Sequence, residues 1–351
     1  MEKTEFDNIQ VMRAIAALMV VANHMFEESI GGIFKYIGGL GVDIFFVLSG
    51  FLMVHTQSER RGAQKFFLDR IKRIYPTYII TSLPLIIIIC IIKQQDVTLF
   101  LGNIFLLPGL NFDNYKMVNP PAWTLVYEMI FYIFFSLALI LSRKKAVTAT
   151  ITCTIIIAIL LGSAALGTSP ERKGWVNLEY ILNDTLMLNF AFGCLYAIAF
   201  DHIKTKLTIS FKAFFIIVLA LIFTALIPLH GSIRLVCFGI PSLIIVMVAT
   251  LSKPSSGSSY KFIHGIGDSS YSLYLSHIYF VFIAIAINKS LHPSNNTMLA
   301  LSLLFFLASI YCGLRINKHI EKPIIRYFKR SKPFGPAQPS KYRGSDITDK
   351  Y

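Results

Sequence analysis

Apolar runs of about 18 to 22 residues dominate this chain from end to end, and each is the length a helix needs to cross a ~30 Å hydrocarbon core. They fall at residues 9–26, 37–56, 74–92, 124–142, 146–167, 179–200, 209–228, 233–251, 270–289 and 296–316. The chain therefore reads as an all-α integral membrane protein with about ten transmembrane helices. Its balance agrees, since 55% of the 351 residues are hydrophobic and only 15% are charged, where a soluble domain carries about 25%. A shorter stretch, TLFLGNIFLLPG (98–109), cannot span and ends in Pro-Gly. It reads as an interfacial or re-entrant piece.

In a soluble protein a net charge of +14 would suggest nucleic acid. Here the basic residues lie between and after the apolar runs, so membrane topology explains them and no nucleic-acid partner is expected. With both termini cytoplasmic, and with charges at the ends of a run counted in the adjoining loop, 25 of the 33 Lys and Arg fall in the tails and even-numbered loops and seven in the odd-numbered loops. Cytoplasmic loops hold such an excess, which sets the orientation. The N-terminus, MEKTEFDNIQ, lacks a basic region and a small-residue cleavage site, so the first span is expected to stay. The five cysteines each sit in a different apolar run, with no C-x-x-C pair, against a disulfide framework or a metal site. Residues 1–330 form one transmembrane domain, and 331–351 read as a disordered basic cytoplasmic tail. The sequence carries no signal for an oligomeric state.

Ionisable side chains inside spans are costly and so are functional candidates. They are Arg13, His24, Asp43, Glu128, Asp184 and His277. Arg13 lies in the inner third of its span and His24 near the outer end. Eleven residues separate them, about 16 Å of rise and within about 20° of three full turns, so both share one helix face. By the same reckoning Asp43 and Glu128 lie at about the depth of His24, where a histidine with carboxylates could form a general base with its orienting partner. On the cytoplasmic side FFLDRIKRIYP carries Arg70 and Arg73, three residues apart and facing one way on a helix, near Arg13. Forked guanidinium groups suit phosphate oxygens.

Each of these residues also has a plainer role. A single buried His can bond a backbone carbonyl, and Arg70 and Arg73 can anchor at headgroups. Asp43 and Glu128 can bond a neighbouring helix or pair with Arg13, and Asp184 reads as structural. Composition and spacing alone support a polar intramembrane pathway, which suits an enzyme or a transporter.

Several stretches, in order, resemble the membrane acyltransferase family 3. IQVMRAIAALMVVANH (9–24) is similar to its Arg, ten residues, His motif, and GVDIFFVLSGFLM (41–53) to its second helix. FFLDRIKRIYPTY (66–78) resembles the Arg-rich start of its third, and PAWTLVYEMIFY (121–132) its Trp and Glu block. IGDSSYSLYLSHIYF (266–280) and HIEKPIIRYF (319–328) match its late motifs. The chain looks most like the branch that acetylates bacterial exopolysaccharide and lipopolysaccharide O-antigen. One departure is Thr124, where the family commonly has Ser; the hydroxyl is kept.

The resemblance implies an O-acetyltransferase of the bacterial inner membrane, with acetyl-CoA as cytosolic donor, no metal, and a surface glycan or its lipid-linked precursor as acceptor. Arg13, Arg70 and Arg73 would hold the donor phosphates, and His24 would act as base or acetyl relay, with Glu128 orienting it or binding the sugar. Trp123 could stack on the sugar or anchor the interface. Asp43 would support the second helix, while Tyr132 and His277 are further candidates, the latter on resemblance alone. Longer members carry a periplasmic hydrolase-like domain; its absence here suggests direct modification of the acceptor. The alternative is a transporter in which His24, Asp43 and Glu128 form a pathway.

Overall fold

The computed structural model describes residues 7–30, 33–93, 97–109, 117–167, 176–225 and 234–330. Among them the structure is helical, with two isolated backbone bridges, Gly109 to Asn177 and Ile209 to Ser252. The expected tail, 331–351, lies outside the described residues, as do parts of several loops.

Helices α1 (Asp7–Ile30), α2 (Ile33–His55) and α3 (Ala63–Lys93) are followed by the short α4 (Val97–Phe105). Then come a 3-10 turn (Pro120–Ala122), α5 (Trp123–Leu141), α6 (Lys145–Ala165), α7 (Leu178–Asn183) and α8 (Met187–Lys204). The remainder is α9 (Phe211–Ala225), a π-turn (Leu235–Gly239) running into α10 (Ile240–Leu251), α11 (Ser258–Asp268), α12 (Ser270–Leu291) and α13 (Asn295–Ile316). A second π-turn (Asn317–Glu321) leads into α14 (Lys322–Arg330).

Among the described residues, seven helices are long and apolar enough to cross a membrane, and α9 and the π-turn with α10 are shorter apolar helices. The protein is thus a multi-pass helical membrane protein. The run read as one span at 179–200 is two helices, because Asp184 takes an extended conformation after α7. Its carboxylate accepts from the Leu186 N–H at 2.9 Å and from the Tyr127 hydroxyl at 2.8 Å. A side chain that bonds the main-chain N–H two residues on turns the backbone out of the helix. The third span also begins earlier than the apolar run at 74–92, since the helix takes in the basic stretch from Ala63.

Helix α2 lies at the centre, packed chiefly on α1 and α8. Two glycines permit the α2–α8 crossing: a Cβ on Gly50 would collide with the Phe190 carbonyl, and one on Gly193 with the Val47 carbonyl. Small residues let backbones approach in lipid, where close packing drives association. Pro76 and Pro84 interrupt the ladder of α3. Two carbonyls near these prolines accept tyrosine hydroxyls from α12, Ile74 from Tyr271 at 2.9 Å and Thr81 from Tyr279 at 2.6 Å.

The 98–109 stretch forms α4 and the turn after it, a non-spanning piece as expected. Asn103, fully buried, bonds the Leu99 carbonyl and the Val118 N–H, while Tyr78 donates to its carbonyl. That draws residues 117–122 into the bundle, where Asn119 bonds Ser82 at 2.9 Å and the Leu275 carbonyl at 3.2 Å. Ser82 lies well inside α3, so α5 starts within the bundle.

Candidate active site

A cavity of about 940 Å³, its open mouth included, lies between α1, α2, α3, α5 and α12. Arg13, Arg70, Arg73, Glu128 and Tyr132 all line it. The site is assembled by one short register on each helix: Arg13 on α1, an i, i+3 pair on α3 and an i, i+4 pair on α5. Volume and lining suit a small-molecule ligand. Arg70 lays its guanidinium over the rings of Phe66 (5.1 Å) and Tyr132 (5.6 Å), which fixes the plane of its fork. Arg73 is exposed at the mouth, and Arg13 makes only a long contact, 3.4 Å, with Gln10. Among the described residues none of the three forms an ion pair. Three guanidinium groups and one carboxylate thus share a cavity walled largely by apolar side chains, which favours a polyanion.

Glu128 departs from the depth expected of it. Its carboxylate accepts from Tyr132 at 2.6 Å and from Ser49 at 3.3 Å, and it lines the arginine cavity instead of bonding His24. The cause is the sunken start of α5: residues 117–122 descend before the helix begins, so Glu128 sits beside Ser49, six residues along α2 from Asp43. A count from the outer edge of the apolar run cannot include that descent.

Asp43 also stands apart from His24. It is fully buried and accepts from Arg234 at 2.6 Å and Asn189 at 2.5 Å, tying α2 to the first π-turn and α8. The Arg234 guanidinium lies 6.0 Å from the Phe238 ring. Asp43 thus pairs as a structural anion with Arg234.

The partner of His24 is His277. Nδ1 of His24 lies 2.9 Å from Nε2 of His277, with the rings within 20° of parallel. His277 is fully buried, and its Nδ1 lies 3.2 Å from the Leu273 carbonyl. Trp123 is half-buried, edge-on to Tyr127 at 5.4 Å, and does not line the cavity.

Between the cavity and the histidine pair stands Tyr274, whose hydroxyl bonds Thr124 at 2.9 Å and the Pro121 carbonyl at 2.9 Å. Its ring is 6.2 Å from that of His277 and 6.1 Å from Phe45. Ser49, Phe45, Tyr271 and Tyr274 line the site and were missed in the sequence. A signal existed for the tyrosines, because YSLYLSH sets Tyr271, Tyr274 and His277 at three-residue spacing along one side of a helix.

The sequence profile described as "Acyltransferase domain" matches residues 6–315. A peptidoglycan O-acetyltransferase, OatA, of Listeria monocytogenes is 25% identical over 93% of this chain and 57% of its own. A putative acetyltransferase, ORF330, of Acidianus two-tailed virus is 26% identical over 79% of this chain and 84% of its own. The O-acetyltransferase OatA of Staphylococcus aureus is 23% identical over 76% of this chain and 49% of its own. The chain spans about half the length of these OatA relatives, and no solved structure matches it. Because the profile match takes in the cavity, the histidine pair and nearly all of the described bundle, the chain belongs to acyltransferase family 3.

Proposed function

We propose that this protein is an O-acetyltransferase of a bacterial cytoplasmic membrane. It moves an acetyl group from cytosolic acetyl-CoA to a hydroxyl of a surface glycan, either O-antigen or exopolysaccharide, or its lipid-linked precursor. The observation that carries this reading is the convergence of Arg13, Arg70 and Arg73 on one cavity whose wall at Tyr274 lies against His277, the partner of His24. Charge-assisted, forked hydrogen bonds from these groups would hold the donor's phosphates, with the thioester extended along the bundle toward Tyr274. His24 would take the proton of the acceptor hydroxyl as it attacks the thioester carbonyl. Glu128, held by Tyr132 and Ser49, lies beside the arginines and helps set the charge of the donor site. Two relatives carry O-acetyltransferase in their names, one with peptidoglycan as its substrate, so peptidoglycan belongs among the acceptors tested.

Ten passes with both termini cytoplasmic also form part of this reading. Bonds between loops support it: Gln57 donates to the Arg143 carbonyl (2.8 Å) and Lys145 to the His55 carbonyl (3.0 Å). Asn8 donates to Ser252 (2.7 Å) and Asn317 to the Asp268 carbonyl (2.9 Å). Each bond joins segments that the ten-pass reading assigns to the cytoplasmic side.

The test is transfer in oriented membrane vesicles, with labelled acetyl-CoA supplied to one face. The label should reach glycan only from the cytosolic face. Arg70→Ala should raise the donor KM by about 10-fold or more, the cost of about 1.5–3 kcal/mol for a lost charge-assisted bond. His24→Ala should abolish transfer and leave donor binding in place. Donor binding unchanged in Arg70→Ala and Arg73→Ala would sink the donor-site assignment.

A further inference from the structure

The bonds of the buried histidine pair have a direction. A carbonyl oxygen can only accept, so the contact of His277 Nδ1 with the Leu273 carbonyl requires the proton on that nitrogen. A neutral imidazole has one proton, which leaves His277 Nε2 as a bare lone pair. That nitrogen faces His24 Nδ1 at 2.9 Å, and the bond exists only if His24 Nδ1 carries its own proton. The bare nitrogen of His24 is then Nε2. The opposite polarity would set the lone pair of His277 Nδ1 against a carbonyl lone pair in a fully buried ring.

We infer that His277 is a positioning residue that holds His24 in its Nδ1–H tautomer and so presents His24 Nε2 as the base. Here a second imidazole and a main-chain carbonyl do the work often done by a carboxylate. This rests on the reading of His24 under Proposed function. The carboxylates the sequence offered for that task are engaged elsewhere, Asp43 with Arg234 and Asn189, Glu128 with Tyr132 and Ser49.

In the transfer step the hydroxyl proton goes to His24 Nε2 as the oxygen bonds the thioester carbonyl carbon. The C–S bond then breaks, and the same proton passes from Nε2 to the leaving thiolate. His24 returns to its starting tautomer, and no proton need travel along the pair. While His24 is doubly protonated, its Nδ1–H bond to His277 strengthens, because a bond from a charged donor is stronger than a neutral one.

Three measurements test this. In wild-type protein labelled with 15N-histidine in liposomes, the resonances lost on His24→Ala should report a protonated Nδ1 and a bare Nε2. His277→Leu should lower kcat by about 100-fold or more, with the donor KM changed by less than about threefold. His277→Gln, which keeps an acceptor oxygen toward His24 and an amide donor, should recover at least about 10-fold of that loss. A protonated Nε2 on wild-type His24 overturns the inference, as does a kcat for His277→Leu within about threefold of wild type. The spectrum needs no variant to turn over, so misfolding of His277→Leu leaves that test in force. Transfer that survives His24→Ala would instead overturn the reading of His24 as the base.

Discussion

Charged side chains in this bundle meet two different fates. Among the described residues Arg13, Arg70 and Arg73 form no ion pairs around their cavity, whereas Asp43 is closed off by Arg234 and Asn189. An ion pair sealed in the interior is costly to break from one side, because the remaining charge cannot reach water. Asp43→Ala should therefore destabilise the protein by roughly 3 kcal/mol, at the low end for buried pairs because Arg234 keeps 29% of its side chain exposed. Thermal unfolding in detergent reads this, and Asp43→Leu with Arg234→Met should recover part of the loss. Tyr274 offers a second check, since its hydroxyl bridges Thr124 and the Pro121 carbonyl at the boundary between cavity and histidine pair. Tyr274→Phe should cost about 1 kcal/mol, roughly fivefold in kcat/KM, with the donor Kd little changed. The titratable residues of the site stood out in the sequence because a charge in lipid is rare. The neutral partners of Asp43 and Glu128 did not, because Asn189 and Ser49 are ordinary residues until packing brings them within bonding distance.

Helices here owe their geometry to features smaller than the apolar run. Gly50 and Gly193 set how closely α2 and α8 cross, and the obstacle to a larger residue is backbone, which no rotamer change can relieve. Gly193→Val should cost about 3 kcal/mol, at the upper end for overpacking, and should reduce folded yield as well as Tm. Gly162, in α6, provides the contrast, since a Cβ there would meet nothing within 4 Å. Gly162→Ala should be stabilising by about 0.5–1 kcal/mol, the helical preference of Ala over Gly. The run at 179–200 illustrates how an element divides: the Asp184 side chain bonds the Leu186 N–H in the turn between α7 and α8, which hydrophobicity alone does not register.

At the scale of the whole molecule, the cavity and the histidine pair lie along α1 at Arg13 and His24, about 16 Å apart by helical rise. The segments at 55–57 and 143–145 are bonded to one another at one end of the bundle. Single-cysteine variants Glu59→Cys and Lys144→Cys should react with an impermeant thiol reagent from the cytosolic side, and Ser290→Cys, at the other end of α12, only from the opposite side. The order of residues alone dictates a helical chain that spans the membrane many times, because run length and the cost of unpaired backbone in lipid leave little else. It also carried Arg13, Arg70 and Arg73 to one site, since helical periodicity and the placement of basic residues are local properties. Packing, in contrast, brings Glu128 to the arginines, Asp43 to Arg234 and His24 to His277. Those pairings depend on how far each helix sinks into the bundle and which way its neighbours turn, and these follow from contacts between residues up to 253 positions apart.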